Sequence, residues 1–215
     1  MHGFARARGA DMAPHGKTTM SPQLFQRQLA AGAWGITFAT VGQARVGIGA
    51  GVRNCLIANQ VLTDEDLSAI AALRRGDARL RILFLVDSLE QLALIEHWFS
   101  RTGATSPFEV LLEVGLDGGR TGCRDHAGAQ QLAQRLHAGA ATRLVGIECY
   151  EGLWAKGDSL ADTALADRLM ERVVAIAREC DAAGMFADDE IIISAGGSSI
   201  FDLVDRKSTR LNSSH

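Results

Sequence analysis

Pro14-His15-Gly16-Lys17-Thr18 sets a primary amine two residues from an imidazole, in a short stretch that opens on proline. A lysine held at the end of a strand can attack a carbonyl and form an imine; a lysine on an open surface is only a solvated charge. These residues alone leave both readings open. A second candidate is Ser194-Ala195-Gly196-Gly197-Ser198-Ser199. Its glycines let the backbone approach a ligand, and successive N–H groups with serine hydroxyls form a nest for an anion. A plain flexible turn has the same composition. The third candidate is Arg120, set among Gly118, Gly119 and Gly122. It is either solvated or placed to hold an anionic oxygen.

The elements that must position these residues alternate along the chain. Apolar runs that read as strands fall before Lys17 and at 35–40, 54–59, 81–87, 108–115, 143–150 and 190–194. Helical stretches lie between them. Their expected starts are Ser21-Pro22, Val41, Thr63, Ser88, Asp125 and Ser159, and most end on a glycine. The helix from Ser159 carries Leu160, Leu165, Leu169, Val173, Ile176 and Cys180 along one expected apolar face. Residues 1–9 read as the end of a helix closed by Gly9.

The strands are continuous apolar runs, as parallel strands covered on both faces should be. Repeated strand–helix units mean a doubly wound sheet or a barrel. No G-x-G-x-x-G follows an early strand, which weakens the dinucleotide fold. About seven units point to a (β/α)8 TIM-type barrel that is incomplete by one strand. In that fold the loops after the strands carry the chemistry. Lys17, the Gly115–Gly122 loop with Arg120, the segment Cys149-Tyr150-Glu151-Gly152, and Ser194 to Ser199 all follow strands. An amine, an anion nest and an arginine on one face suit a phosphorylated aldehyde. Pyridoxal 5'-phosphate is the cofactor of that description.

Composition narrows the class. The chain has 215 residues, 47% hydrophobic and 22% charged, enough for a sizeable core. A formal net charge of -3 gives no basic surface for nucleic acid or an anionic membrane. No run of apolar residues is long enough to span a bilayer, and the first residues lack a secretory h-region. The four cysteines form no C-x-x-C pair, so neither a disulfide framework nor a cysteine metal site is expected, and a reducing cytoplasm is the expected setting. Residues 205–215 hold basic residues and serines with a single large apolar side chain, Leu211. They are expected to be a non-native or disordered tail on a domain of residues 1–204. The sequence is expected to be a fragment that lacks a short upstream piece and everything after the seventh strand.

Several stretches resemble the D-threonine aldolase and D-serine dehydratase-like family, fold-type III pyridoxal phosphate enzymes that share a barrel with alanine racemase. The resemblance runs through Pro14-His15-Gly16-Lys17-Thr18, Gln28 to Ile36, Leu56 to Asn59, the Gly115–Gly122 loop, Tyr150-Glu151-Gly152 and Ser194 to Ser198, in the family's order. It implies an alanine racemase-type barrel in which Lys17 forms the cofactor aldimine. By the same resemblance Arg120 contacts the cofactor's phenolic oxygen or the substrate carboxylate, and Tyr150 lines the pocket. Gly196, Gly197 and Ser198 bind the phosphate beside Ser194, and His15 points into the same mouth. Thr19 stands where the family has a second histidine, a departure that marks a deaminase-like subgroup.

The implied function is a pyridoxal phosphate-dependent lyase of β-hydroxy D-amino acids, of the D-serine dehydratase or deaminase kind. Retro-aldol cleavage of the D-threonine aldolase type and racemisation are alternatives on the same scaffold. A non-catalytic carrier of the cofactor is an alternative of another class. The family's C-terminal β-domain, which supplies a divalent zinc or manganese site and closes the active site across a homodimer, is expected to lie outside this sequence. No metal ligands are expected in the chain, His97, His126 and His137 are expected on exposed helix faces, and the fragment is expected to be inactive by itself.

Overall fold

The computed structural model describes residues 2–150 and 159–195. The expected nest residues Gly196, Gly197 and Ser198, and the tail at 205–215, lie outside the described residues. Among the described residues six strands are formed: β1 (Ile36–Phe38), β2 (Asn54–Gln60), β3 (Arg81–Val86), β4 (Phe108–Glu113), β5 (Thr142–Glu148) and β6 (Ile192–Ser194). Seven helices accompany them: α1 (His2–Arg6), α2 (Pro22–Ala30), α3 (Val41–Gly49), α4 (Asp64–Gly76), α5 (Leu89–Thr102), α6 (His126–Ala138) and α7 (Ser159–Ala182). The strands follow the order β1-β2-β3-β4-β5-β6 in the sheet. That order excludes a doubly wound sheet, whose strand order reverses part way. Each strand is instead followed by a helix and then by its next neighbour, the winding of an α/β barrel.

The chain divides into two units. The first holds the described residues up to Leu85 together with Glu90–Glu109; the second holds Val86–Leu89 and the described residues from Val110 onward. In the first, β1 pairs parallel with β2 through Ile36 and Cys55, and β2 with β3 through Asn54 and Arg81. All three β1 residues are buried, as are Ile82 to Val86 of β3. This is why these strands read as unbroken apolar runs. The unit's core is aromatic. Phe25 meets Phe38 edge-on with centroids 5.5 Å apart, and Phe108 meets Phe84 at 5.7 Å and Trp98 at 5.3 Å. Arg81 of β3 spans to the buried Glu109 of β4 at 3.0 Å. In the second unit β5 pairs parallel with β6, Gly146 opposite Ile192 and Glu148 opposite Ser194.

Helix starts follow local chemistry. Thr40, Thr63 and Asp125 each accept the N–H of the residue three ahead, at 3.2, 3.1 and 2.7 Å, which satisfies one of the open donors at a helix start. Ser21 occupies the cap position of α2, but its hydroxyl donates to Gln23 Oε1 and makes no backbone cap.

Two expectations are corrected. The segment before Lys17 is not a full strand: it makes one parallel bridge, His15 with Thr37. Pro14 has no N–H to donate to a ladder, and a turn begins at Lys17, so pairing stops at both ends. On α7, Leu160 is 82% exposed and does not belong to the apolar face. Burial on this helix falls on Ala166, Leu169, Met170, Val173, Ile176, Ala177 and Cys180, with Asp162 buried in the first turns. Among the described residues no helix is long and apolar enough to cross a membrane.

Candidate active site

In the first unit the candidate residue is Lys17. Backbone bonds lock the segment before it against β1. Thr37 N–H donates to Pro14 O at 2.9 Å, Gly16 N–H to Thr37 O at 2.7 Å, and Trp34 N–H to Met12 O at 2.9 Å. Thr37 Oγ1 adds a bond to Ala13 O at 2.8 Å. Gly16 is needed here for space: a Cβ would lie 2.8 Å from Phe25, 2.9 Å from Ile36 and 3.0 Å from Phe38. The backbone that carries Lys17 therefore rests directly on the aromatic core. Past it the chain turns at once, with Met20 N–H on Gly16 O at 2.9 Å and Met20 at φ 43°. Lys17 is thus exposed at the carboxyl end of the β1-paired segment, where a barrel keeps its chemistry. His15 is exposed beside it, its Nδ1 3.4 Å from the Lys17 N–H.

In the second unit Arg120 rides on a loop that the structure holds closed. The chain leaves β4, loops out from Gly115, and returns so that Cys123 bridges in parallel with Val114. Cys123 N–H donates to Glu113 O at 2.8 Å, and Gly115 N–H to Cys123 O at 3.1 Å. The two limbs cross at their glycines. A Cβ on Gly115 would lie 2.2 Å from Thr121 O, and one on Gly122, at φ 92°, would lie 2.4 Å from Gly115 N. No other residue type fits that crossing. Asp87 Oδ2 accepts the Gly122 N–H at 2.9 Å, and Thr121 Oγ1 donates to the buried Glu113.

From α7, the Arg172 guanidinium donates to Gly115 O at 2.5 Å, Arg124 O at 2.7 Å and Cys123 O at 2.9 Å. One side chain thereby ties both ends of the loop to the helix. Arg124 bridges within it, from Nη1 to Leu116 O at 2.8 Å and Thr121 O at 3.1 Å. Arg120 itself points to solvent from this frame. Cys123, buried against Asp87 O, has its thiol pushed up to about 12, by burial first and then by the Asp87 charge. It is an inert packing group rather than a nucleophile.

Three expected site residues thus lie at the carboxyl ends of three successive strands. Arg120 follows β4. Tyr150, 37% exposed, follows β5. Ser194 ends β6, and its carbonyl accepts the Cys149 N–H at 3.0 Å. Lys17 and His15 occupy the equivalent end of their strand-like segment in the other unit. Sequence reasoning did not single out Arg172, Asp87, Arg124 or Arg168. The one available signal was an arginine at position 172 beside the apolar stripe of α7, where a solvent-facing helix would not need it.

Among the described residues no group of three or more His, Cys, Asp or Glu is placed to hold a metal. His97 is exposed on α5. His126 Nε2 lies 2.7 Å from Glu179, and His137 Nδ1 lies 3.0 Å from Met185 O.

No family model matches the chain. It is 28% identical over 211 residues to D-threonine aldolase of an Arthrobacter species, covering 98% of this chain and 54% of that enzyme. It is 32% identical over 183 residues to D-threo-3-hydroxyaspartate dehydratase of Delftia sp. strain HT23, covering 83% of this chain and 46% of that enzyme. The chain spans about half the length of these curated relatives. Among solved structures, D-threonine aldolase of Filomicrobium marinum superposes with TM-score 0.82 at 24% identity, over 97% of this chain and 55% of its own. The Delftia dehydratase superposes with TM-score 0.76 at 28% identity, over 95% of this chain and 58% of its own. Alanine racemase from E. faecalis follows at TM-score 0.65 and 18% identity, over 89% of this chain and 48% of its own. The fold is the alanine racemase-type α/β barrel, present in part, and the sequence relatives are an aldolase and a dehydratase that the motifs had indicated.

Proposed function

We propose that the protein is a pyridoxal phosphate-dependent lyase of β-hydroxy D-amino acids, and that Lys17 holds the cofactor. The observation that carries this reading is Lys17 itself: an exposed amine at the carboxyl end of a strand-like segment, on a backbone fixed against the core through Gly16. Its relatives are enzymes named for D-threonine and D-threo-3-hydroxyaspartate, substrates that share an amino group at Cα and a hydroxyl at Cβ.

The residues present fit that cofactor by their chemistry. Lys17 Nζ supplies an amine for its aldehyde. Arg120, exposed on a loop tied down at both ends, supplies a cation for its phenolic oxygen or for the substrate carboxylate. Tyr150 offers an aromatic wall. Ser194, with Gly196, Gly197 and Ser198 beyond it, is the segment assigned to the phosphate, and His15 stands beside Lys17. When bound, the cofactor supplies an electron sink for the bonds at the substrate Cα. The protein's part is to hold and orient. Lys17 Nζ would hold the cofactor by its aldehyde carbon, and Arg120 would keep the negatively charged group from turning away.

Loss of the β-hydroxyl leaves a keto acid and ammonia; cleavage of Cα–Cβ leaves glycine and an aldehyde. We favour the dehydratase outcome. The aldolase outcome is the second reading, because the match to the Arthrobacter enzyme runs over 98% of the chain. We assign any zinc or manganese ion the reaction needs, and the contacts of a homodimer, to residues other than those described.

Two measurements test this. Borohydride treatment after adding pyridoxal phosphate should attach a pyridoxyl group to the peptide containing Lys17, and Lys17→Ala should abolish it; labelling that survives the substitution would refute the role of Lys17. The whole gene product, incubated with D-serine, D-threonine or D-threo-3-hydroxyaspartate with and without manganese, should release a keto acid. Glycine and aldehyde would select the aldolase reading. Cofactor binding without turnover of any of them would leave a carrier.

A further inference from the structure

We propose that the second unit carries a binding site for a small oxyanion, a carboxylate or phosphate group, in the cavity that Arg124, Arg168 and Arg172 line between the 115–124 loop and α7. This goes beyond the proposed function and does not depend on Lys17 or a cofactor.

The cavity has a volume of about 300 Å³ and is lined by Leu116, Asp117, Arg124, Leu165, Arg168 and Arg172. That is on the order of ten water volumes, room for a small molecule and not for a peptide. Leu165, Arg168 and Arg172 are spaced i, i+3 and i+7, so one face of α7 presents all three. Three guanidinium groups against the single carboxylate of Asp117 leave the lining two positive charges in excess.

Among the residues that line the cavity, Asp117 is the one carboxylate. Arg124 spends its hydrogen bonds on the carbonyls of Leu116 and Thr121. Arg172 spends its own on those of Gly115, Cys123 and Arg124. Like charges gathered round one cavity repel, and an oxyanion relieves that repulsion. Asp117 opposes it, but that carboxylate is exposed and so largely screened. Asp167 and Glu171 sit one residue off the Arg168 and Arg172 positions, on a neighbouring face of the helix. Leu116 and Leu165 offer apolar wall for the carbon skeleton of a short carboxylate. Guanidinium is the side chain whose fork best matches carboxylate and phosphate oxygens.

Arg168 is the discriminating position. It is exposed, so Arg168→Leu should fold as the parent does. Succinate and inorganic phosphate are titrated separately into the chain by calorimetry, at low and at moderate ionic strength. Expected is saturable binding of at least one of them that weakens with salt. Arg168→Leu should weaken it about tenfold, the effect of one charge-assisted hydrogen bond. Arg75→Leu, an exposed arginine on α4, should leave it unchanged. Binding of succinate alone identifies a carboxylate site, and binding of phosphate alone a phosphate site. No binding of either, or binding equal in the parent and Arg168→Leu, overturns the proposal.

Discussion

Replacing Arg172 by leucine should loosen the loop that carries Arg120 without dissolving the core beneath it. The substitution removes three donors. Cys123 O keeps a partner, because the Gly115 N–H also reaches it at 3.1 Å. Gly115 O and Arg124 O lose the guanidinium, which reached them at 2.5 and 2.7 Å. An acceptor stranded in a folded protein costs about 1–3 kcal/mol. The loop is partly wet, which places both near the low end, so the expected destabilisation is about 2–3 kcal/mol. For a chain of this size that is a fall in Tm of roughly 4–12 °C. Arg172→Lys keeps a charge but lacks the fork and should recover only part of the loss. The local readout is hydrogen exchange. The amides of Gly115, Gly122 and Cys123 should exchange faster, whereas those of β1 and β2 in the other unit should not. Unchanged Tm together with unchanged protection at Cys123 would refute the claim that Arg172 holds the loop.

Gly16→Ala is expected to destabilise by about 1–3 kcal/mol, the usual cost of overpacking, since its Cβ would press on Phe25, Ile36 and Phe38 within 3.0 Å. Urea unfolding would measure this, and pyridoxyl labelling at Lys17 should fall with it, because the strain is relieved by lifting the Lys17 backbone. The buried thiols of Cys55 and Cys123 are raised to about 12 and that of Cys180 to about 11, each chiefly by burial. In the unfolded chain these thiols lose their protons near their ordinary value of 9.0, while in the folded chain they keep them. The stability they contribute is therefore intact below about pH 9 and lost as the pH rises from there through 11 and 12, by about 1.4 kcal/mol per pH unit per thiol. Urea midpoints that hold steady between pH 9 and 11 would contradict this. By the same burial, iodoacetamide should label these thiols at pH 8 only after denaturant is added, and rapid labelling of the native chain would show that they are open.

What was legible in the sequence follows from what each feature depends on. Buried parallel strands and capped helices are set by neighbours in the chain, so β3 and β4 and the caps Thr63 and Asp125 could be read directly. The segment before Lys17 misled because its apolar character says nothing of Pro14, which cannot donate to the ladder and leaves a single bridge. Leu160 misled because spacing alone cannot say which side of a helix's first turn is covered: Leu160 is exposed there while Asp162, two residues on, is buried. The site divides in the same way. Arg120 could be picked out by type and by its glycines, and the Gly115–Gly122 crossing explains why those glycines are there. Its frame could not, because Arg172 acts on Gly115 and Cys123 from 57 and 49 positions away. A loop whose own residues are committed to turning is held by residues remote in sequence, here Arg172 and Asp87. The residues proposed for the chemistry are thus more legible here than the residues that hold them in place, and substitutions at Arg172 or Asp87 should displace Arg120 without touching it.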